Sequence, residues 1–323
     1  MSIKKAADCV KKYKNFLITS HTSLEGDALG SELAFSRMLK KLGKTATIIN
    51  EDKLPPEYDF LPGNNSIKRF KKGMKGVSFD CFVALDCSDF RRTGEVYTIN
   101  ADNKPSLNID HHISNERFAG TNWVDPSASS CSEMIYKLYK YLGVPLDKDA
   151  AISLYTGMLT DTGSFHYSNT AVSTHKAVSE LLRYGLDIHK IYKSVYENIT
   201  LEDARLLGRI LPRMRISSGG KIAWFEVGQN ILRRRNPPFD LTERMLSFAR
   251  SVRGVEVVAL FKENLGMKNE IRINLRSQGK VDVNKVARFF GGGGHKAASG
   301  ATVRGKIGQI RRKILAKIEE ELT

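Results

Sequence analysis

The chain is poor in cysteine, has no long apolar run, and is almost free of low-complexity sequence. Its four cysteines are Cys9, Cys81, Cys87 and Cys131, none in a C-x-x-C pair. Cys81 and Cys87 fall in or beside one apolar, strand-like stretch and read as reduced core residues, which argues for a reducing, cytoplasmic compartment. No stretch approaches the ~18 consecutive apolar residues of a membrane span. The first 13 residues hold no apolar run of signal-peptide length, so neither a membrane partner nor a secretory route is expected. The one biased segment is the glycine run Gly291 to Gly294, and no internal repeat is visible.

What remains is a globular composition, with 323 residues, 41% of them hydrophobic and 27% charged. That length suits two domains, each with its own core. Lys and Arg outnumber Asp and Glu by 51 to 35, a formal net charge of +16. Such an excess concentrates polyanions around a protein, so by charge alone a nucleotide, nucleic acid or anionic membrane would fit, as would a merely solubilising surface, and the membrane is the one the missing apolar run disfavours.

Periodicity divides the chain further. Strand-like runs are expected at 15–20, 45–50, 79–85 and 107–109, with helices at 3–13, 31–42, 131–142 and 149–159. Strands alternating with helices predict a mainly parallel sheet with helices on both faces. A charged helical stretch from about 173 to 214 reads as a connector ending at Ser217-Ser218-Gly219-Gly220. Beyond it, strands at 222–227, 255–261, 271–277 and 301–303 and helices at 241–252, 283–290 and from 307 predict a smaller α/β domain. The expected division is therefore 1–185, 186–216 and 217–323.

Three strand-like runs end at residues able to bind metal: His21, Asp86 and Asp110. In parallel sheets ligands sit outside the carboxyl ends of the strands. Around these ends lie His21-Thr-Ser-Leu-Glu25-Gly-Asp27, then Asp86, then Asp110-His111-His112, and later Thr160-Asp161-Thr162-Gly163-Ser164-Phe165. Mixed imidazole and carboxylate donors suit manganese, zinc or iron better than calcium. Singly, each has a plainer reading: Asp27 as a helix N-cap, Asp86 as a turn residue, Asp161 as part of a post-helical loop. The glycine run followed by His295 would let backbone N–H groups approach a phosphate, whereas a flexible turn would waste four ordered glycines. No G-K-[ST] follows it, so it is not a Walker loop.

Taken together and in this order, these elements resemble the DHH phosphoesterase superfamily. The similar branch joins a DHH domain to a C-terminal DHH-associated domain, and within it the chain resembles the stand-alone nanoRNase and pAp-phosphatase group. The resemblance covers nearly the whole chain. It implies a hydrolase with two divalent cations, manganese foremost. His21 and Glu25 would ligate one and Asp27, His111 and Asp161 the other, with Asp86 bridging. Asp110 would orient a ligand and His112 would face the scissile phosphate. Arg276 and Ser277 would grip the nucleotide, with Gly292, Gly293, Gly294 and His295 in a loop holding its terminal phosphate or base. The implied substrates are nanoRNA and pApA, cleaved to mononucleotides, and pAp, converted to AMP. Cyclic di-AMP hydrolysis, single-strand exonuclease action and a non-catalytic nucleotide or RNA binder are the alternatives. Stand-alone members are often dimers, which makes a homodimer an expectation.

Two positions depart from the family pattern. The usual Pro-Asp is Leu24-Glu25 here, and the extra methylene moves the carboxylate by ~1.5 Å, about one C–C bond. The usual arginine after Gly163-Ser164-Phe165 is His166, which lacks a bidentate grip on phosphate.

Overall fold

The β-rich run Asn15–Thr19 forms β1, with Phe16 and Ile18 on one face and Leu17 on the other. It lies between β2 (Thr45–Asn50) and β4 (Cys81–Leu85). With β3 (Ile67–Arg69), β5 (Ser106–Asp110) and β6 (Thr121–Val124), the sheet order is β3-β2-β1-β4-β5-β6. Every pairing is parallel. This is the doubly wound order, in which the winding reverses between β1 and β4 and opens a crevice at their carboxyl ends. The structure, a computed structural model, describes residues 2–322 apart from 75, 218, 233–238, 265, 266 and 268. Ser218 of the serine–glycine break thus lies outside the described residues.

One face of the sheet packs on α1 (Ile3–Lys12), α2 (Gly26–Lys41) and α3 (Cys131–Leu142), and α4 (Lys148–Asp161) lies against α2 and α3. The other is covered by the 3-10 helical stretch Phe90–Asn100, where Phe90 and Val96 meet Leu17, Phe82 and Ala84. Local sequence sets the helix ends: Ser130 accepts the Glu133 N–H at the start of α3, and Gly143 closes it with left-handed backbone. Helices α2 and α4 approach closely because Gly30 has no side chain. A Cβ there would lie 2.3 Å from the Ser153 carbonyl oxygen. Helices α5 (Val172–Leu182) and α6 (Ile188–Tyr196) complete this unit, which runs Met1–Asn198.

The second unit, Ile199–Thr323, begins with α7 (Leu201–Ile210). The stretch expected as a connector is thus divided, α6 belonging to the first unit and α7 to the second. Its strands are β7 (Arg215–Ile216), β8 (Ile222–Val227), β9 (Val257–Glu263), β10 (Glu270–Ser277), β11 (Gly293–Gly294) and β12 (Ala298–Arg304). They are ordered β11-β12-β10-β9-β8-β7, with β8 and β9 parallel and the other neighbours antiparallel. A single turn, α8 (Gln229–Leu232), precedes α9 (Phe239–Arg250), and α9 with α7 covers Val258 and Leu260. The opposite face, with Val257, Ala259, Phe261 and Ile273, packs on α10 (Val283–Phe289) and α11 (Ile307–Leu322). No described helix is long and apolar enough to cross a membrane. The four cysteines are buried free thiols.

Candidate metal centre

The reversal between β1 and β4 brings chemistry to one place. His21 stands two residues beyond β1, Asp86 directly beyond β4, and Asp110 ends β5 with His111 and His112 following. Asp27 sits in the first turn of α2 and Asp161 ends α4. Asp86 is 1% exposed and adopts left-handed backbone (φ 51°), a region open to Asp but unusual for most side chains. Its Oδ2 lies 3.4 Å from His21 Nε2, and its Oδ1 lies 3.4 Å from His111 Nε2 and 3.6 Å from His112 Nδ1. Among the described residues neither oxygen accepts a hydrogen bond. A buried carboxylate in that position is costly unless a cation joins it.

The imidazoles are turned to suit a cation. His21 Nδ1–H donates to the Thr22 carbonyl at 2.7 Å, and His111 Nδ1–H to the Ala128 carbonyl at 3.3 Å. Each therefore presents Nε2 to the carboxylates as a lone-pair donor. His21 Nε2 is 3.9 Å from Glu25 Oε1, while His111 Nε2 is 3.8 Å from Asp27 Oδ2 and 3.6 Å from Asp161 Oδ2. His112 Nδ1–H donates to Asp110 Oδ1 at 2.7 Å. Asp110 Oδ1 also takes the His111 backbone N–H, and its Oδ2 takes Asn115 Nδ2–H. Its acceptors are occupied by protein donors, which suits an orienting role.

Burial pushes the Asp27 carboxyl up to about 7, with Asp86 adding to the rise. Burial likewise raises Glu25, and holds Asp161 well above the usual carboxylate range. Asp86 is opposite: burial opposes its ionisation, but His111 and His21 outweigh that and hold it well below the ordinary value. Burial would depress His111, yet Asp161 and Asp86 raise it well above the imidazole norm. Burial also opposes Asp110, which His112 brings down to about 2. Five carboxylates face three imidazoles, and ionising all five would leave an excess of buried negative charge, which the raised carboxyls of Glu25, Asp27 and Asp161 resist. Divalent cations would neutralise it and favour ionised carboxylates beside neutral imidazoles. Within this unit His21–Glu25–Asp86, Asp27–Asp86–His111 and Asp86–Asp110–His112 are each close enough to hold an ion, and Asp86 belongs to all three. The residues fit a pair of cations sharing Asp86.

Several neighbours were not singled out from the sequence. Asn115 joins Asp110 to Asn108, whose side-chain amide donates to the Ala84 and Cys87 carbonyls. Arg92, in the 3-10 stretch, lies 3.5 Å from His112 Nε2. Glu32, wholly buried on α2, accepts from Asn50 Nδ2, and Asn50 in turn accepts the Ser20 N–H beside His21. Asp27 is not the N-cap of its own helix, as its plainer reading would have it; that position is Glu25, and the Asp27 side chain reaches α3 instead.

In the second unit Ser277 is buried and its Oγ accepts the Gly279 N–H. Arg276 donates through Nε and Nη2 to the two Glu243 oxygens, at 3.1 and 2.6 Å, and through Nη1 to the Leu275 carbonyl. The glycine run was expected to be free of side chains for a ligand's sake, but the fold supplies another reason. β11 pairs Gly293 with Gly300 and Gly294 with Ser299. A Cβ on Gly292 would stand 2.1 Å from the Gly300 carbonyl oxygen, and one on Gly294 would stand 2.6 Å from that of Ala298. His295 closes the hairpin, exchanging backbone bonds with Ala298.

The model of the DHH family, N-terminal domain, matches residues 15–158, and that of the DHHA1 domain matches residues 238–323. The chain belongs to the DHH family of phosphoesterases. It is 30% identical over 309 residues to the bifunctional oligoribonuclease and PAP phosphatase NrnA of Thermus thermophilus, covering 95% of this chain and 90% of that protein. The protein of the same name from Bacillus subtilis is 27% identical over 301 residues, 91% of each chain. The crystal structure of an exopolyphosphatase-related protein from Bacteroides fragilis matches with a TM-score of 0.87 at 28% identity, covering 99% of this chain and 97% of that one.

Proposed function

We propose that the protein is a manganese-dependent phosphoesterase that hydrolyses short oligoribonucleotides, such as nanoRNA and pApA, to mononucleotides and converts pAp to AMP. The observation that carries this reading is Asp86. Its two unbonded oxygens face imidazoles from opposite sides, His21 on one and His111 on the other. The names of the Thermus and Bacillus relatives support the substrate class. The imidazole–carboxylate donor set supports manganese over calcium, and buried free thiols suit a cytoplasmic setting.

Bound cations would lower the pKa of the attacking water and offset charge developing on the phosphoryl oxygens. In this reading His21, Glu25 and Asp86 hold one, and Asp27, His111, Asp161 and Asp86 the other. Asp110 accepts the His112 Nδ1–H and would stabilise a doubly protonated ring, whose Nε2–H would then donate to a phosphoryl oxygen. In the second, DHH-associated unit, Arg276 is already braced by Glu243, so Arg276 and Ser277 would shape the nucleotide pocket while His295 and the glycine hairpin contact the nucleotide.

Purified protein assayed with pApA, pAp, a 5′-phosphorylated RNA trimer and cyclic di-AMP tests this. Release of AMP from pApA and pAp with manganese, abolished by EDTA, is expected. Binding without turnover under any divalent metal would overturn it.

A further inference from the structure

Arg92 brings a fixed positive charge to the edge of the centre. Arg92 Nη1 lies 3.5 Å from His112 Nε2 and 3.4 Å from Ser88 Oγ. Among the described residues its guanidinium makes no ion pair, although it stands close enough to act electrostatically on His21 and Glu25. Its backbone is fixed on both sides. Its N–H donates to Asp89 Oδ1 at 3.2 Å, and its carbonyl accepts the Thr22 N–H at 2.6 Å, tying it to the loop that carries His21. A guanidinium unmatched by any carboxylate at the edge of an acidic, imidazole-rich centre is an anion receptor, and its planar fork matches two oxygens of a phosphate. Meanwhile His166, where an arginine would be usual in the family, is exposed, with the Tyr167 ring 6.2 Å away between centroids.

We propose that Arg92 binds the non-bridging oxygens of the scissile phosphate beside His112, supplying the guanidinium that position 166 lacks. This rests on the phosphoesterase reading above. The side chain, not the backbone, is the reacting part, so Arg92→Gln and Arg92→Lys leave the Asp89 and Thr22 bonds in place.

The test uses the full-length, manganese-loaded protein and both variants. Arg92→Gln is expected to lower kcat/KM about 100-fold, the scale of losing one donor to developing phosphoryl charge, with Arg92→Lys partly restoring it. Calorimetry should show about tenfold weaker binding of inorganic phosphate to Arg92→Gln, with manganese affinity and thermal midpoint as in the wild type. Turnover and phosphate binding within twofold of wild type would overturn the proposal. So would a loss of activity that tracks a loss of manganese affinity, because Arg92 would then act through the His21 loop. If the wild type fails to turn over, the functional reading fails by itself, and the phosphate titration still decides for or against Arg92.

Discussion

The Asp27 carboxylate accepts the backbone N–H of Ser132 at 2.8 Å, joining the first turn of α2 to the first turn of α3, and its other oxygen accepts that of Cys131 at 2.6 Å. A negative group at a helix N-terminus is favourable, and these bonds aim the carboxylate at His111 before any cation arrives. Asp27→Asn offers one acceptor where two are needed and sets an amide donor against a backbone donor. The variant should be less stable by ~1–3 kcal/mol, the scale of an unsatisfied buried group. Urea unfolding in EDTA checks this, since it separates the cap from metal binding; unchanged stability would mean the two bonds contribute nothing.

Gly157 makes room for that arrangement. A Cβ there would lie 1.9 Å from Ser132 Oγ and 2.7 Å from Asp27 Oδ1. Gly157→Ala should therefore cost ~1–3 kcal/mol through overpacking and weaken manganese binding by displacing Asp27. Gly208→Ala is the control, because nothing lies within 4 Å of its added Cβ on α7. That variant should be neutral or more stable by up to ~1 kcal/mol, from helix propensity alone. Equal manganese affinities in the two variants would show that Asp27 tolerates the shift.

Asp86 and Asp110 should separate by magnitude. Asp110 orients His112, and losing a residue of that kind typically costs ~10–100-fold. Asp86→Asn keeps a residue type that tolerates left-handed backbone but removes the shared charge, so its loss of kcat/KM should exceed that of Asp110→Asn. Calorimetry should also show fewer manganese ions bound by Asp86→Asn. Near-normal turnover in Asp86→Ala would remove the bridging role.

Glu32 makes stability depend on pH. It is wholly buried, and its Oε1 has no hydrogen-bond partner among the described residues. Burial pushes its carboxyl from 4.5 up to about 8. The folded state thus holds a proton that the unfolded state releases, so any stabilisation present below pH 4.5 is lost as pH rises towards 8 and stays lost above it. Glu32→Gln mimics the neutral acid, keeps an acceptor for Asn50, and should abolish this contribution. Unfolding in EDTA from pH 4.5 to 8.5 should show wild type falling relative to the variant by ~1.4 kcal/mol per unit at most, levelling near 8. Parallel curves would mean that Glu32 is not held neutral.

Much of the centre was legible because it is local. Apolar runs ending at His21, Asp86 and Asp110 mark strand ends, and carboxyl ends of parallel strands are where ligands gather. The Asp-His-His triplet and the chain order of the acids added the family resemblance. The short strands β3 and β6 were not legible, since IKR and TNWV are too brief and too polar to show a period. Nor were Arg92, Asn115 and Glu32, each of which reads as ordinary surface or helix sequence.

The sequence by itself determined the alternation of strands and helices and the ends at which metal-capable residues fall, since period and punctuation are properties of neighbouring residues. Only the tertiary structure decided that Asp27 caps a helix 104 residues away, that Arg92 stands over His112, and that two glycines of the C-terminal run are demanded by the β12 backbone. Those partners are chosen by which strands lie side by side and how closely helices cross. Sheet order and close packing are set by the whole core at once, and no stretch of neighbouring residues encodes them.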